Sequence, residues 1–255
     1  MNKLLSPIHY GEAKYRPIKI SKIRTGITDV QAGVARSRSR INLDIMKAMR
    51  GKLTTSPVNA KDIIKKPLTD NECDHLGKAY EHLNIMLQRP GFELYAEDLL
   101  NFNDICLFGF SLGSMPKNME VNTFMENHGM LQQYQKYQKN FYKHIRPTWE
   151  WLSKQAQNPD ISAYTLAAGA YTRIVNDSKL FTDGHQRTGA IVMAYFFDRA
   201  GIETFHLNAI TAPEFFTISN KIKNCNNWIM LNSYRNKLSV FLSKHFHHRY
   251  MRIPV

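Results

Sequence analysis

Apolar positions recur at helical spacing over most of the chain, and strict alternation is rare. The clearest period lies in "LTDNECDHLGKAYEHLNIMLQRPG" (68–91), which predicts a helix opened by Thr69 or Asp70 and closed at Pro90-Gly91. "YAEDLLNFNDICLFGFSLGSMPKN" (95–118) predicts a short helix followed by a segment where Gly109, Gly113 and Pro116 bound a small β-hairpin or an irregular loop. "MLQQYQKYQKNFYKHIRPTWEWLSKQAQ" (130–157) predicts a long helix interrupted near Pro147, with Tyr134, Tyr137, Phe141 and Tyr142 as core. "ISAYTLAAGAYTRIVND" (161–177) is rich in small residues and suits close packing. "TGAIVMAYFFDRAG" (188–201) is apolar nearly all round and so predicts a buried central helix. Further helices are expected in "TAPEFFTISNKIKNCNNWIML" and "SYRNKLSVFLSKHF".

The first 60 residues are more polar. "KYRPIKISKIRTGITDV" resembles strands only weakly, because Tyr15, Ile18, Ile20 and Ile23 do not alternate cleanly. "SRINLDIMKAMRG" (39–51) reads as a helix ended by Gly51, and "LTTSPVNAKDIIKKP" as a linker or turn. The pattern divides the chain into an N-terminal, partly helical extension (1–67), a helical core (68–220) and C-terminal basic helices packed on it (221–255). The expected fold class is all-α: a helical bundle with a small β-hairpin flap and an N-terminal helical extension.

Composition adds three constraints. Hydrophobic residues make up 43% of 255 positions, enough for a core. No run of 18 uncharged apolar residues occurs, so no membrane span is expected, and the N-terminus lacks the apolar stretch of a secretory signal peptide. Cys73, Cys106 and Cys225 are odd in number and widely spaced, which argues against a disulfide framework or a zinc site. The net charge of +13 favours polyanions: nucleic acid, phosphorylated ligands, an acidic partner or an anionic membrane surface. "ARSRSR" (35–40) and "KHFHHRYMR" (244–252) are its densest clusters, and only the second interleaves aromatic residues.

Candidate chemistry concentrates in "SKLFTDGHQRTGAI" (178–191), a polar loop feeding the central helix. A helix N-terminus offers unpaired N–H groups and a positive dipole end, a ready anion site. Gly184 lets the backbone come close to a ligand, and Arg187 can grip phosphate oxygens in bidentate fashion. Asp183 suits a divalent cation or a helix cap. On these residues alone, a phosphate site and a capped turn both stay open.

The segment "KLFTDGHQR" resembles the Fic-domain pattern His-x-Phe-x-(Asp/Glu)-(Gly/Ala)-Asn-(Gly/Lys)-Arg, which lies between two buried helices of an all-α core. Phe181, Asp183, Gly184 and Arg187 match, and Thr188 follows as it often does there. The likeness extends over roughly residues 95–220. It implies transfer of AMP or a related phosphate-containing group from a nucleotide such as ATP, with Mg2+, to a hydroxyl of a target protein. It further implies Asp183 as the metal ligand. Lys179, Gly184, His185, Gln186, Arg187 and Thr188 would form the phosphate and nucleotide site.

The departures are equally specific. Lys179 stands where the pattern has its general-base His, His185 replaces the Asn, Gln186 replaces a small residue or Lys, and Ala190 replaces a second Arg. About one lysine in 2,500 is neutral at pH 7, and a bound polyphosphate would favour the ammonium form further. Lys179 therefore fits phosphate pairing better than base catalysis. His185 has the pKa range of a base but occupies a phosphate-ligand position, so Lys179 and His185 are the two candidate catalytic groups. The (Ser/Thr)-x-x-x-Glu-(Gly/Asn) inhibitory motif is not found.

Three functions follow: an altered transferase, a catalytically silent Fic fold used to bind a partner, or a nucleic-acid-binding helical protein. The expected setting is the cytoplasm, or delivery into host cells by a route without a signal peptide, as for an effector or toxin.

Overall fold

A computed structural model describes residues 69–112, 120–127, 129–202, 205, 207 and 211–247. Eight helices occur among them, and no strand: α1 (Asp70–Leu87), α2 (Ala96–Phe108), α3 (Val121–Asn127), α4 (Leu131–Ala156), α5 (Ala163–Asn176), α6 (His185–Arg199), α7 (Thr211–Lys223) and α8 (Trp228–His245). The all-α class expected from the periodicity holds. The N-terminal extension, its strand-like stretch and the helix at 39–51 lie outside the described residues. So do positions 113–119 of the expected hairpin and the end of the C-terminal basic cluster.

Sequence dictates the helix ends locally. Thr69 caps α1 through a capping box: its Oγ1 accepts from the Glu72 N–H at 3.2 Å, and Glu72 Oε2 accepts from the Thr69 N–H at 2.8 Å. Ser162 caps α5 and Asn227 caps α8. Gly109 ends α2 in the left-handed conformation.

Helix α4 corrects one expectation, because it runs through Pro147 without a break. Proline removes one backbone hydrogen bond there. The helix survives because Phe141, Ile145, Trp149 and Leu152 bury one continuous face across that point, while Pro147 itself faces solvent. Of the four aromatic residues expected in the core, Phe141 is fully buried; Tyr134, Tyr137 and Tyr142 are half-buried.

Helix α5 is the hub, packing on α4, α6, α7 and α8. Its Ala167, Ala168, Gly169 and Ala170 let neighbours approach closely, and Gly189 of α6 lies where a Cβ would meet the Tyr171 ring at 2.8 Å. Helix α6 is buried almost all round from Arg187 to Phe197. A cluster of Phe197, Phe205, Phe215, Phe241 and Phe246 fastens α7 and α8 to this centre. On the other side α1 and α2 pack against each other and against α6.

Candidate functional site

The α5–α6 connection is shorter than the sequence suggested. Helix α6 begins at His185, so His185, Gln186 and Arg187 form its first turn rather than part of the loop. The cause is Gly184, which takes φ 80° as the N-cap and turns the chain into the helix three positions before Thr188. A Cβ at Gly184 would lie 2.8 Å from Asn103 Nδ2.

Asn103, on α2, fastens this junction. Its Nδ2 donates to the Asp183 carbonyl at 2.8 Å and to Thr188 Oγ1 at 3.1 Å. Asp183 in turn accepts the Gly184 N–H on Oδ1 at 2.6 Å. The turn before it is braced by Asp177, whose Oδ1 accepts the Lys179 N–H at 3.0 Å and whose Oδ2 lies 3.0 Å from His144 Nδ1 of α4.

The side chains expected to meet phosphate mostly point inward. Arg187 is buried. Its Nη1 donates to the Cys106 carbonyl at 3.1 Å and lies 3.6 Å from Glu72 Oε1, while Nη2 lies 3.8 Å from Asp183 Oδ2. A solvent-facing clamp is thereby corrected: this guanidinium ties α6 to α1 and α2. Thr188 is fully buried against Asn103. Gln186 Nε2 donates to Ser219 Oγ of α7 at 2.7 Å, and Ser219 is also 2.6 Å from the Tyr171 hydroxyl.

His185 packs edge-on against Phe181, with ring centroids 5.4 Å apart. Burial lowers its pKa against the opposing pull of Asp183 and the Asp177 backbone, so the imidazole is neutral at pH 7. Its Nε2 is closed off from solvent and has no hydrogen-bond partner. A buried nitrogen of this kind does not reach a hydroxyl on another protein. Lys179, by contrast, is exposed, as is Asp183.

Beside the start of α6, Lys179 and Asp183 are exposed, His185 and Gln186 half-buried, and Gly184 and Arg187 buried. No side chain caps α6, and its first N–H groups lack intrahelical acceptors. Set against protein-family models, curated proteins and solved structures, the chain matches none of them.

Behind the loop, Leu180, Phe181 and Thr182 line a cavity of ≈ 20 Å³ with Asn103, Asp104 and Tyr137. That volume suits a water rather than a nucleotide. Asp104 is buried there, and desolvation raises its pKa to about 8 although its Oδ2 accepts the Leu112 N–H at 3.3 Å. Among the described residues no three His, Cys, Asp or Glu side chains converge as a metal cluster.

Sequence reasoning singled out neither Asn103 nor His144. Asn103 and Asp104 had a signal: two polar residues side by side within the mainly apolar "LLNFNDICLF".

Proposed function

We propose that this chain is a Fic-like fold that binds a phosphate-containing ligand at the start of α6 and does not transfer a group from it. The observation that carries the reading is the uncapped first turn of α6 behind Gly184, flanked by exposed Lys179 and Asp183. Unpaired N–H groups at a dipole end favour an anion, and Lys179 adds a mobile positive charge.

The same geometry argues against transfer. Lys179 is a poor base when charged, and the only imidazole of the segment has its Nε2 sealed against Phe181. Arg187, which would stabilise charge on a transferring phosphoryl group, is held by Cys106 and Glu72. Asp183 fits Mg2+ as a single carboxylate, with the remaining ligands coming from phosphate oxygens and water, a common magnesium arrangement. In this reading the target protein of an active family member becomes a binding partner, held by the basic surface.

Calorimetric titration with ATP, ADP and pyrophosphate, each with and without Mg2+, tests the binding. Incubation with labelled ATP tests the transfer. Ligand binding that Gly184→Ala abolishes, with no label on any protein, is the expected pair of results. Label transfer by the unaltered protein would overturn the silent assignment. No binding of any of the three ligands would overturn the site. Tight, salt-steep binding to RNA or DNA in its place would favour the nucleic-acid reading.

A further inference from the structure

A second feature, built from α4, α5 and α8, is independent of the loop. The Trp151 indole of α4 rests directly on α5 at Gly169, where an added Cβ would lie 2.0 Å from a ring carbon. Only a glycine admits the ring in that position. One turn further along α5, the Arg173 guanidinium carbon sits over the same indole, 4.8 Å from its centroid. Arg235 of α8 is over it as well, at 5.6 Å.

Each contact is a favourable cation–π pair. Together they bring two positive charges to one ring, in a chain already at +13. All three side chains are half-buried, so the charges are only partly screened by water. Among the described residues no carboxylate pairs with Arg173 or Arg235. The nearest element that could answer them, α4, has its Glu150 taken by Arg146 at 2.7 Å. Arg235 Nε is buried without a hydrogen-bond partner. Burial and the Arg235 charge both lower the proton affinity of Arg173, the response of a cation that lacks an anion.

Two guanidiniums from different helices thus share one indole ring, and among the described residues neither has a carboxylate partner. We propose that Arg173 and Arg235, seated on the Trp151 ring, form a binding site for a phosphate group. Phosphate fits better than a carboxylate because its second negative charge matches the second guanidinium. A guanidinium over an aromatic face also keeps its N–H edge for bidentate contact with oxyanions. A bound phosphate would link α5 to α8 and so stabilise the folded chain. The chemistry is common to the free ion and to a phosphate monoester on a larger molecule.

Thermal unfolding of the full chain in inorganic phosphate, phosphoserine or sodium chloride at matched ionic strength tests the site. Phosphate should raise the melting temperature by roughly 2–4 °C over chloride. That rise should vanish in Arg173→Gln and in Arg235→Gln. A rise equal to that in chloride, or one that survives the double variant, would overturn the proposal; survival combined with loss in Gly184→Ala would move the anion to α6. Should the Gln variants not fold, tryptophan fluorescence of the unaltered protein decides. A phosphate response absent in Trp151→Phe supports the site, and no response overturns it. Tighter binding of phosphoserine assigns the site to a phosphate carried on an organic group; tighter binding of inorganic phosphate assigns it to the free ion.

Discussion

Arg187 donates to the Cys106 carbonyl at 3.1 Å, and that single bond redirects the charged side chain best placed in sequence to clamp a ligand. The residue belongs to the fold before it belongs to a site. Arg187→Ala should therefore lower stability by about 2–4 kcal/mol, because it removes the buried donor to the Cys106 carbonyl and the charge beside Glu72. Urea denaturation with a well-defined midpoint measures it. An unchanged midpoint accompanied by loss of ligand would restore the clamp.

Gly184→Ala should cost about 1–2 kcal/mol from its left-handed backbone alone. The added methyl also meets Asn103 Nδ2, so the Asp183 and Thr188 hydrogen bonds should weaken with it. In Asn103→Ala the methyl has room, and the further cost of Gly184→Ala should shrink. A double-mutant cycle gives the coupling, and strict additivity would show that the two do not communicate.

Stability should fall as pH rises. Asp104 is raised to about 8 and Asp98 to about 6, both by burial, so the folded state holds protons that the unfolded chain releases near pH 4. Their contribution is complete below about pH 4. It is lost through about pH 6 for Asp98 and about pH 8 for Asp104, each with a limiting slope of about 1.4 kcal/mol per pH unit. His185 acts oppositely: its depressed pKa costs stability as pH drops below the ordinary histidine range. Asp104→Asn should flatten the decline between about pH 4 and 8, for which Asp104 alone is responsible above about pH 6, where Asp98 has ionised, in denaturation curves taken at several pH values. An unaltered slope would mean that the carboxylate finds a cation or water when ionised.

Gly169→Ala should destabilise by about 1–3 kcal/mol through overpacking against Trp151. Trp151→Ala alone opens a cavity. Combined, the two should cost less than their sum, and calorimetric melting of the four proteins checks this. Full additivity would place the Trp151 ring elsewhere.

Periodicity made the helices legible, and cap chemistry made Thr69 legible as the start of α1. Two departures from the hydrophobic pattern have local causes. The early start of α6 turned on one glycine adopting φ 80°, which no hydrophobic pattern records. The helix also continues through Pro147, because packing of Ile145 and Trp149 on the opposite face outweighs one missing hydrogen bond. The site was legible as a segment but not as geometry. Residue types told that Arg187, Gln186 and Thr188 can hold an anion. Their actual partners, Cys106, Ser219 and Asn103, lie 33–85 positions away in the chain and depend on how α2 and α7 pack.

The Asn103 amide grips the residue before Gly184 and the residue four beyond it with one nitrogen. Lifting the loop from α6 breaks the Asp183 hydrogen bond, and undocking α2 breaks both, so α2 holds the loop to the helix. Loop and helix pair then open as one cooperative unit. In hydrogen exchange, the Thr188 amide, which donates to the Gly184 carbonyl at 2.8 Å, should show the protection of the bundle core rather than that of a surface turn.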